Sequence, residues 1–132
     1  MRGRGLLVAS ALVVACTGMP GAGGEISCQP FGYTPAPVVF GFQTGPISST
    51  TAEQTASGLF RACELSGATI SGLTTRSEQA TGTPGGPNAG EAVWRVKVDA
   101  TVTEPSGGAS YQSHFIIEVN QATGRPTVVA YG

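Results

Sequence analysis

The chain has 132 residues, and its 7 basic and 8 acidic residues give a formal net charge of −1 at pH 7. This length allows one small domain with its own hydrophobic core. Charged residues make up only 11% of the chain and form no basic cluster, so the composition argues against nucleic acid and against a polybasic, lipid-binding surface.

The first fifteen residues have the pattern of an export signal. Arg2 and Arg4 precede an apolar run, LLVASALVVA, at residues 6–15. A transmembrane helix needs about 20 apolar residues, so this run is too short to span a membrane. Because a basic start followed by a short apolar core is typical of secretory signal peptides, we predict that residues 1–15 are a cleaved signal peptide.

The end of the apolar run, Val13-Val14-Ala15-Cys16, resembles the lipobox of bacterial lipoprotein signal peptides. The resemblance implies cleavage before Cys16, a diacylglyceride on its thiol and an acylated amino terminus. The Gly-rich residues 16–27 are then expected to be a flexible tether. The protein would be exported and anchored to the membrane on its periplasmic or extracellular side. Two alternatives stay open, which are ordinary cleavage further on, in MPGAGG, and a buried apolar cysteine.

If Cys16 carries lipid, the two other cysteines, Cys28 and Cys63, remain as one pair. In the oxidising compartments that receive exported proteins, we expect such a pair to form a disulfide. Neither cysteine has C-x-x-C spacing, and the chain has a single histidine, so no zinc site is predicted. In the chain-entropy model the disulfide would stabilise the fold by about 3–4 kcal/mol.

The first elements predicted after Cys28 are a strand and a helix. Prolines flank residues 38–42, which favours a short edge strand there. Thr50 and Glu53 match a capping box, and the apolar spacing that follows predicts a helix over 51–66. Gly67 suits a left-handed cap at its end. The residues on the apolar face of this helix are Ala52, Ala56, Leu59, Phe60 and Cys63.

From residue 68 onwards the pattern is that of antiparallel strands, with a bulge at Gly72 and a Gly- and Pro-rich loop over 81–91. The residues predicted to face the helix are Trp94, Val96, Val98, Ala100, Val102, Tyr111, Phe115, Ile117 and Val119. One helix followed by about four strands predicts an α+β fold, in which a curled antiparallel sheet wraps on a single helix. We assign this single domain to residues 28–132.

A further pattern is carried by Ile47-Ser48 with Ala52 and Ala56, by the strand at 93–96, and by EVNQATGR at 118–125. These segments resemble a PepSY domain, whose helix opens on I-(S/T)-x-x-x-A and whose last hairpin turns on approximately V-D-x-x-T-G-x-V. Asn120 stands where the family usually has Asp. The resemblance covers about residues 47–130 and implies a helix-on-sheet domain that modulates or inhibits peptidases near the cell surface. A more general cystatin-like fold is the alternative.

The residues predicted on the exposed face of the sheet include Arg95, Lys97, Asp99, His114 and Glu118. Such cross-strand charges usually form a solvated surface. His114 has no predicted nucleophile beside it, and the Gly-rich loop lacks the lysine of a phosphate-binding loop. We therefore predict no catalytic residue, no metal and no cofactor, and we interpret the five residues as a candidate interaction face.

The sequence thus predicts a membrane-tethered, non-enzymatic interaction module for an envelope protein, acting through this face or by strand addition at residues 38–42. The alternative, from a different class, is a carrier for a lipid or an aromatic molecule in an apolar cavity between helix and sheet. The residues predicted to line that cavity are Phe60, Trp94, Tyr111 and Phe115.

Overall fold

The computed structural model describes residues 21–28, 38–64 and 67–131. The predicted signal peptide and its lipidation site, Cys16, lie outside these residues. Within the described ranges, no helix is both long enough and apolar enough to cross a membrane.

Six strands and one helix follow each other along the chain. They are β1 (Gly21–Ile26), β2 (Val38–Gln43), α1 (Ser49–Cys63), β3 (Thr69–Thr81), β4 (Ala92–Thr103), a 3-10 turn (Pro105–Gly107), β5 (Ser110–Asn120) and β6 (Pro126–Tyr131). Strands β3 to β6 form an antiparallel sheet in chain order, and β1 pairs with β2 in a separate antiparallel ribbon. The predicted α+β class, one helix on a mostly antiparallel sheet, is confirmed.

Helix α1 begins and ends earlier than predicted. Its N-cap is Ser48, whose hydroxyl accepts a hydrogen bond from the backbone N–H of Thr51 at 3.2 Å. The predicted capping box is wrong, because Glu53 instead accepts hydrogen bonds from two hydroxyls of β3, Thr75 at 2.9 Å and Ser77 at 2.6 Å. The helix ends at Cys63, and Gly67 adopts the predicted positive φ, +84°, beyond that end.

One face of the four-stranded sheet packs against α1 to form the core. The buried residues of this core are Ile26, Phe42, Ala52, Ala56, Leu59, Phe60, Val96, Val98, Ala100, Val102, Phe115, Ile117, Val119 and Val128. Phe60 of the helix meets Phe115 of β5 edge to face, with ring centroids 5.0 Å apart. The strand alternation therefore predicted most of the inner face correctly.

The two ends of the inner face differ from the prediction. Trp94 is half-buried, and its indole N–H donates a hydrogen bond to the carbonyl oxygen of Ile47 at 3.0 Å. Tyr111, predicted to be buried, is 40% exposed, and its hydroxyl donates to Glu64 at 3.3 Å. Because α1 has ended at Cys63, the helix does not cover the end of β5 that carries Tyr111.

The ribbon of β1 and β2 corrects the predicted tether. Gly21–Ile26 falls inside the range 16–27, yet all six of its residues pair with β2, and Ile26 is only 2% exposed. Glycine-rich composition suggested slack, but a glycine backbone offers the same N–H and C=O groups for pairing as any other residue. The predicted tether is therefore wrong for residues 21–26, and residues 16–20 lie outside the described residues.

In β2 the predicted side is correct, since Phe42 is buried, Val38 and Phe40 are half-buried, and Val39 is 83% exposed. The bulge predicted at Gly72 is also confirmed. The pairing of β3 with β4 shifts between Ser71 and Thr74, and Gly72 has a φ of +62°.

Cys28 and Cys63 lie at disulfide distance, with 2.15 Å between the sulfur atoms and 5.6 Å between the Cα atoms. This geometry is compatible with the predicted pair. Cys28 lies two residues after the end of β1, and Cys63 is the last residue of α1. The bond therefore ties the ribbon to the helix.

Candidate functional site

The sheet surface that points away from α1, here called the outer face, carries the residues predicted as an interaction face. Strand register places Arg95 opposite Glu118 and Asp99 opposite His114, while Lys97 lies opposite Ile116. All five predicted residues thus lie on the same face of two neighbouring strands. Four of them are at least partly exposed, and Glu118 is not.

Asp99 and His114 form a direct cross-strand contact. The Nδ1 atom of His114 lies 2.5 Å from Oδ1 of Asp99, and the two side chains are 47% and 35% exposed, respectively. Within the described ranges, no hydroxyl or thiol group forms a hydrogen bond with this histidine. The contact is therefore that of a hydrogen-bonded cross-strand pair at the protein surface.

Glu118 was predicted on the solvated face, and this prediction is wrong because the side chain is only 1% exposed. The loop between β3 and β4 folds over this end of the outer face. Its Thr83 donates to the carboxylate through the backbone N–H at 3.0 Å and through the hydroxyl at 2.5 Å, and Arg95 donates at 3.2 Å. A partner that approaches the outer face therefore cannot reach Glu118 directly.

A second buried group, Asn120, fastens the same loop. Its amide nitrogen donates to Asn88 at 3.1 Å and to Glu91 at 2.6 Å, both in the loop. Asn120 also orders the β5–β6 turn, because its side-chain oxygen accepts hydrogen bonds from the backbone N–H groups of Ala122 and Thr123. Sequence reasoning treated the loop as a plain connector and missed this role.

The loop fits closely because Gly82 has no side chain. A Cβ atom built at Gly82 would lie 1.9 Å from the carbonyl oxygen of Asn88. The glycine was a signal that could have indicated a close backbone approach, although nothing in its neighbourhood specified what would approach.

A pocket of about 380 Å³ opens in the middle of the outer face. Its lining residues are Arg76, Ser77, Glu78, Arg95, Lys97 and Ile116. The predicted interaction face did not include Arg76 and Glu78, although their i, i+2 spacing on β3 places them on one face of the strand. Apart from Arg2 and Arg4, the chain has five basic residues, and three of them line this pocket.

The pocket cations differ in how they are paired. Arg95 forms a salt bridge with Glu118 and also donates a hydrogen bond to the backbone carbonyl oxygen of Thr81 at 3.1 Å. Arg76 and Lys97 take part in no ion pair with any residue of the described ranges. The pocket therefore presents two unpaired positive charges at the surface.

A second pocket, of about 410 Å³, lies along α1 beside β3 and includes Glu53, Arg61 and Thr75 in its lining. Its carboxylate, Glu53, is already bound by the β3 hydroxyls. In the parts of the chain that the structure describes, no three His, Cys, Asp or Glu side chains are grouped as a metal site would require.

Comparison with known proteins adds no relative to this picture, since no family model, no curated protein and no solved structure matches the chain.

Proposed function

We propose that the protein is a membrane-tethered, extracytoplasmic interaction module that binds an envelope protein through the outer face of its sheet. The observation that carries the proposal is that α1 covers one face of the sheet, while the opposite face exposes aligned charges around a pocket. Exposed charged and polar groups in fixed register are suited to steering and orienting a partner.

The tether belongs to the proposal on sequence grounds. A short apolar run with basic residues before it, followed by the lipobox pattern at Cys16, favours export and lipid anchoring. The cysteine pair at disulfide distance supports the same compartment, because disulfides persist outside the cytosol. The resemblance to PepSY domains makes an envelope peptidase the favoured partner class, which the module would modulate or inhibit.

Strand addition is less favoured than the outer face. β1 already pairs along one edge of β2, from Ile26 opposite Val38 to Gly21 opposite Gln43. This edge is therefore occupied by the chain itself, so strand addition to β2 is restricted to its other edge.

The carrier function has no specific support in the geometry. Trp94 lies opposite Val119, and Tyr111 is eight residues away on the same strand, so the two aromatic groups are about 26 Å apart. Phe60 and Phe115 are in direct ring contact. The four residues predicted to line one apolar cavity therefore do not surround a common space.

Site-specific photo-crosslinking tests the interaction face. A photoreactive residue at Gln112, exposed on the outer face, should give one defined adduct in the native membrane, and the same residue at Gln54, exposed on α1, should not. A Lys97→Glu, Asp99→Lys exchange, which preserves net charge, should remove the adduct. Equal adducts from both positions, or an adduct indifferent to the exchange, would contradict the proposed face.

A further inference from the structure

One cross-strand pair on the outer face consists of two positively charged side chains, which repel each other. Arg76 of β3 lies directly opposite Lys97 of β4. Directly opposed residues on antiparallel strands have Cβ atoms about 4.5–5.5 Å apart, and like charges at such positions are destabilising. In the neighbouring pairs on this face a carboxylate meets a side chain that can donate to it, since Arg95 pairs with Glu118 and His114 pairs with Asp99.

The fold itself does not neutralise this pair. Both side chains are exposed, and neither has an acidic partner within the described ranges. Glu78 lines the same pocket but also forms no ion pair in this part of the chain. Two cations are thus held side by side where an anionic group from outside would relieve their repulsion.

The surroundings of the pair narrow the chemistry of that anion. Glu78, two residues from Arg76 on the same face of β3, repels highly charged anions and so favours a single carboxylate over a phosphate. Ile116, half-buried and directly opposite Lys97, offers an apolar contact beside the charges. The volume of about 380 Å³ admits a side chain together with its apolar neighbour.

We infer that the pocket between Arg76 and Lys97 binds an aspartate or glutamate side chain of the protein partner, with an adjacent apolar residue of that partner on Ile116. This inference rests on the proposed function, because it specifies the chemistry by which the same face recognises its partner. Arg76 supplies planar, paired N–H donors that suit a carboxylate, and Lys97 adds a mobile point charge.

Titration of the purified full chain followed by amide NMR shifts tests the pocket directly. The probe is the blocked peptide acetyl-Gly-Asp-Leu-amide, and its uncharged match is acetyl-Gly-Asn-Leu-amide. The aspartate peptide should cause saturable shifts in β3 and β4 around residues 76 and 97, and the asparagine peptide should not. Arg76→Gln, or independently Lys97→Gln, should weaken binding by about fivefold or more.

Two further measurements are peptide binding by a matched control variant and the melting temperature of the protein without peptide. Arg61→Gln removes an exposed cation from α1 and should leave peptide binding unchanged. Arg76→Gln should raise the melting temperature of the free protein, because it removes the repulsion with Lys97.

Equal shifts with both peptides, no saturation with the aspartate peptide, or binding unchanged by both pocket variants would overturn the inference. A failure here is distinguishable from failure of the proposed function. If the adduct from Gln112 persists while the aspartate peptide does not bind, the outer face remains the interaction surface and only the carboxylate site is wrong.

Discussion

Among individual residues, Glu118 has the most demanding environment. Its buried carboxylate is compensated by the two donors of Thr83 and by Arg95. A buried charge that loses such partners is strongly destabilising, whereas a fully hydrogen-bonded one can be retained. The position of the β3–β4 loop and the integrity of the outer face therefore depend on the same side chain.

Glu118→Gln should lower the free energy of unfolding by about 1–3 kcal/mol, because an amide binds Arg95 and the Thr83 donors less well than a carboxylate does. Urea unfolding followed by circular dichroism measures the change. Glu78→Gln is the matched control, since Glu78 is exposed and unpaired within the described residues, and its effect should stay within about 0.5 kcal/mol. Equal shifts of the two midpoints would contradict the buried network.

Gly124 combines two separate requirements for glycine. Its φ is +79°, and a Cβ atom there would lie 1.9 Å from the carbonyl oxygen of Gln43. Gly85 has nearly the same φ, +83°, but no heavy atom within 4 Å of the added carbon. The comparison of these two glycines therefore separates backbone strain from steric conflict.

Gly85→Ala should cost about 1–2 kcal/mol from the left-handed conformation alone. Gly124→Ala should cost at least about 1 kcal/mol more, because the backbone of β2 must move to admit the methyl group. Thermal unfolding of the two variants side by side checks this order. The close approach of the β5–β6 turn to Gln43 is disproved if the two losses are the same.

At the scale of elements, the start of α1 depends on which hydroxyl caps it. Ser48→Ala should destabilise the protein by about 0.5–2 kcal/mol, because the first turn loses its acceptor for the N–H of Thr51. Thr50→Ala should have little effect, since Thr50 lies within the helix. Urea midpoints of both variants decide the matter, and a larger loss from Thr50→Ala would restore the capping box as first predicted.

The disulfide acts between elements, since it joins the end of the ribbon to the end of α1. Because the cysteines are separated by 35 positions in the sequence, removal of the disulfide should cost about 3–4 kcal/mol in the chain-entropy model. The double variant Cys28→Ser, Cys63→Ser should show this loss in urea. Wild-type protein treated with a reducing agent should lose a similar amount, and an unchanged midpoint in both samples would argue against a stabilising bond.

For the whole molecule, the testable feature is anchoring. The native protein should fractionate with membranes and incorporate labelled fatty acid, and Cys16→Ser should abolish both, because a serine hydroxyl cannot form the required thioether. The domain of the variant should keep its melting temperature, since Cys28 and Cys63 still pair. Intact mass gives the sharpest result, and an unlipidated mature chain that begins beyond Gly21 would refute the lipobox.

Local patterns in the sequence were sufficient for the class of the fold and for most of its core. Period-two alternation identifies Val96 and Ile117 as inward-facing, because successive side chains of a strand point to opposite sides. The bulge at Gly72 and the turn at Gly124 follow from local glycine preferences. The shared face of Arg95, Lys97, Asp99 and His114 follows from the same alternation, so four residues of the candidate site were also predictable.

The remaining features depend on segments that are distant in the chain. Glu118 is buried by Thr83, 35 residues away, and Glu53 is drawn from its predicted cap by hydroxyls more than 20 residues away. The like-charged pair of Arg76 and Lys97 exists only because β3 and β4 pair in the register that runs from Thr81 opposite Ala92 to Thr74 opposite Asp99. Periodicity determines which way a side chain points, but only tertiary packing decides what it meets there.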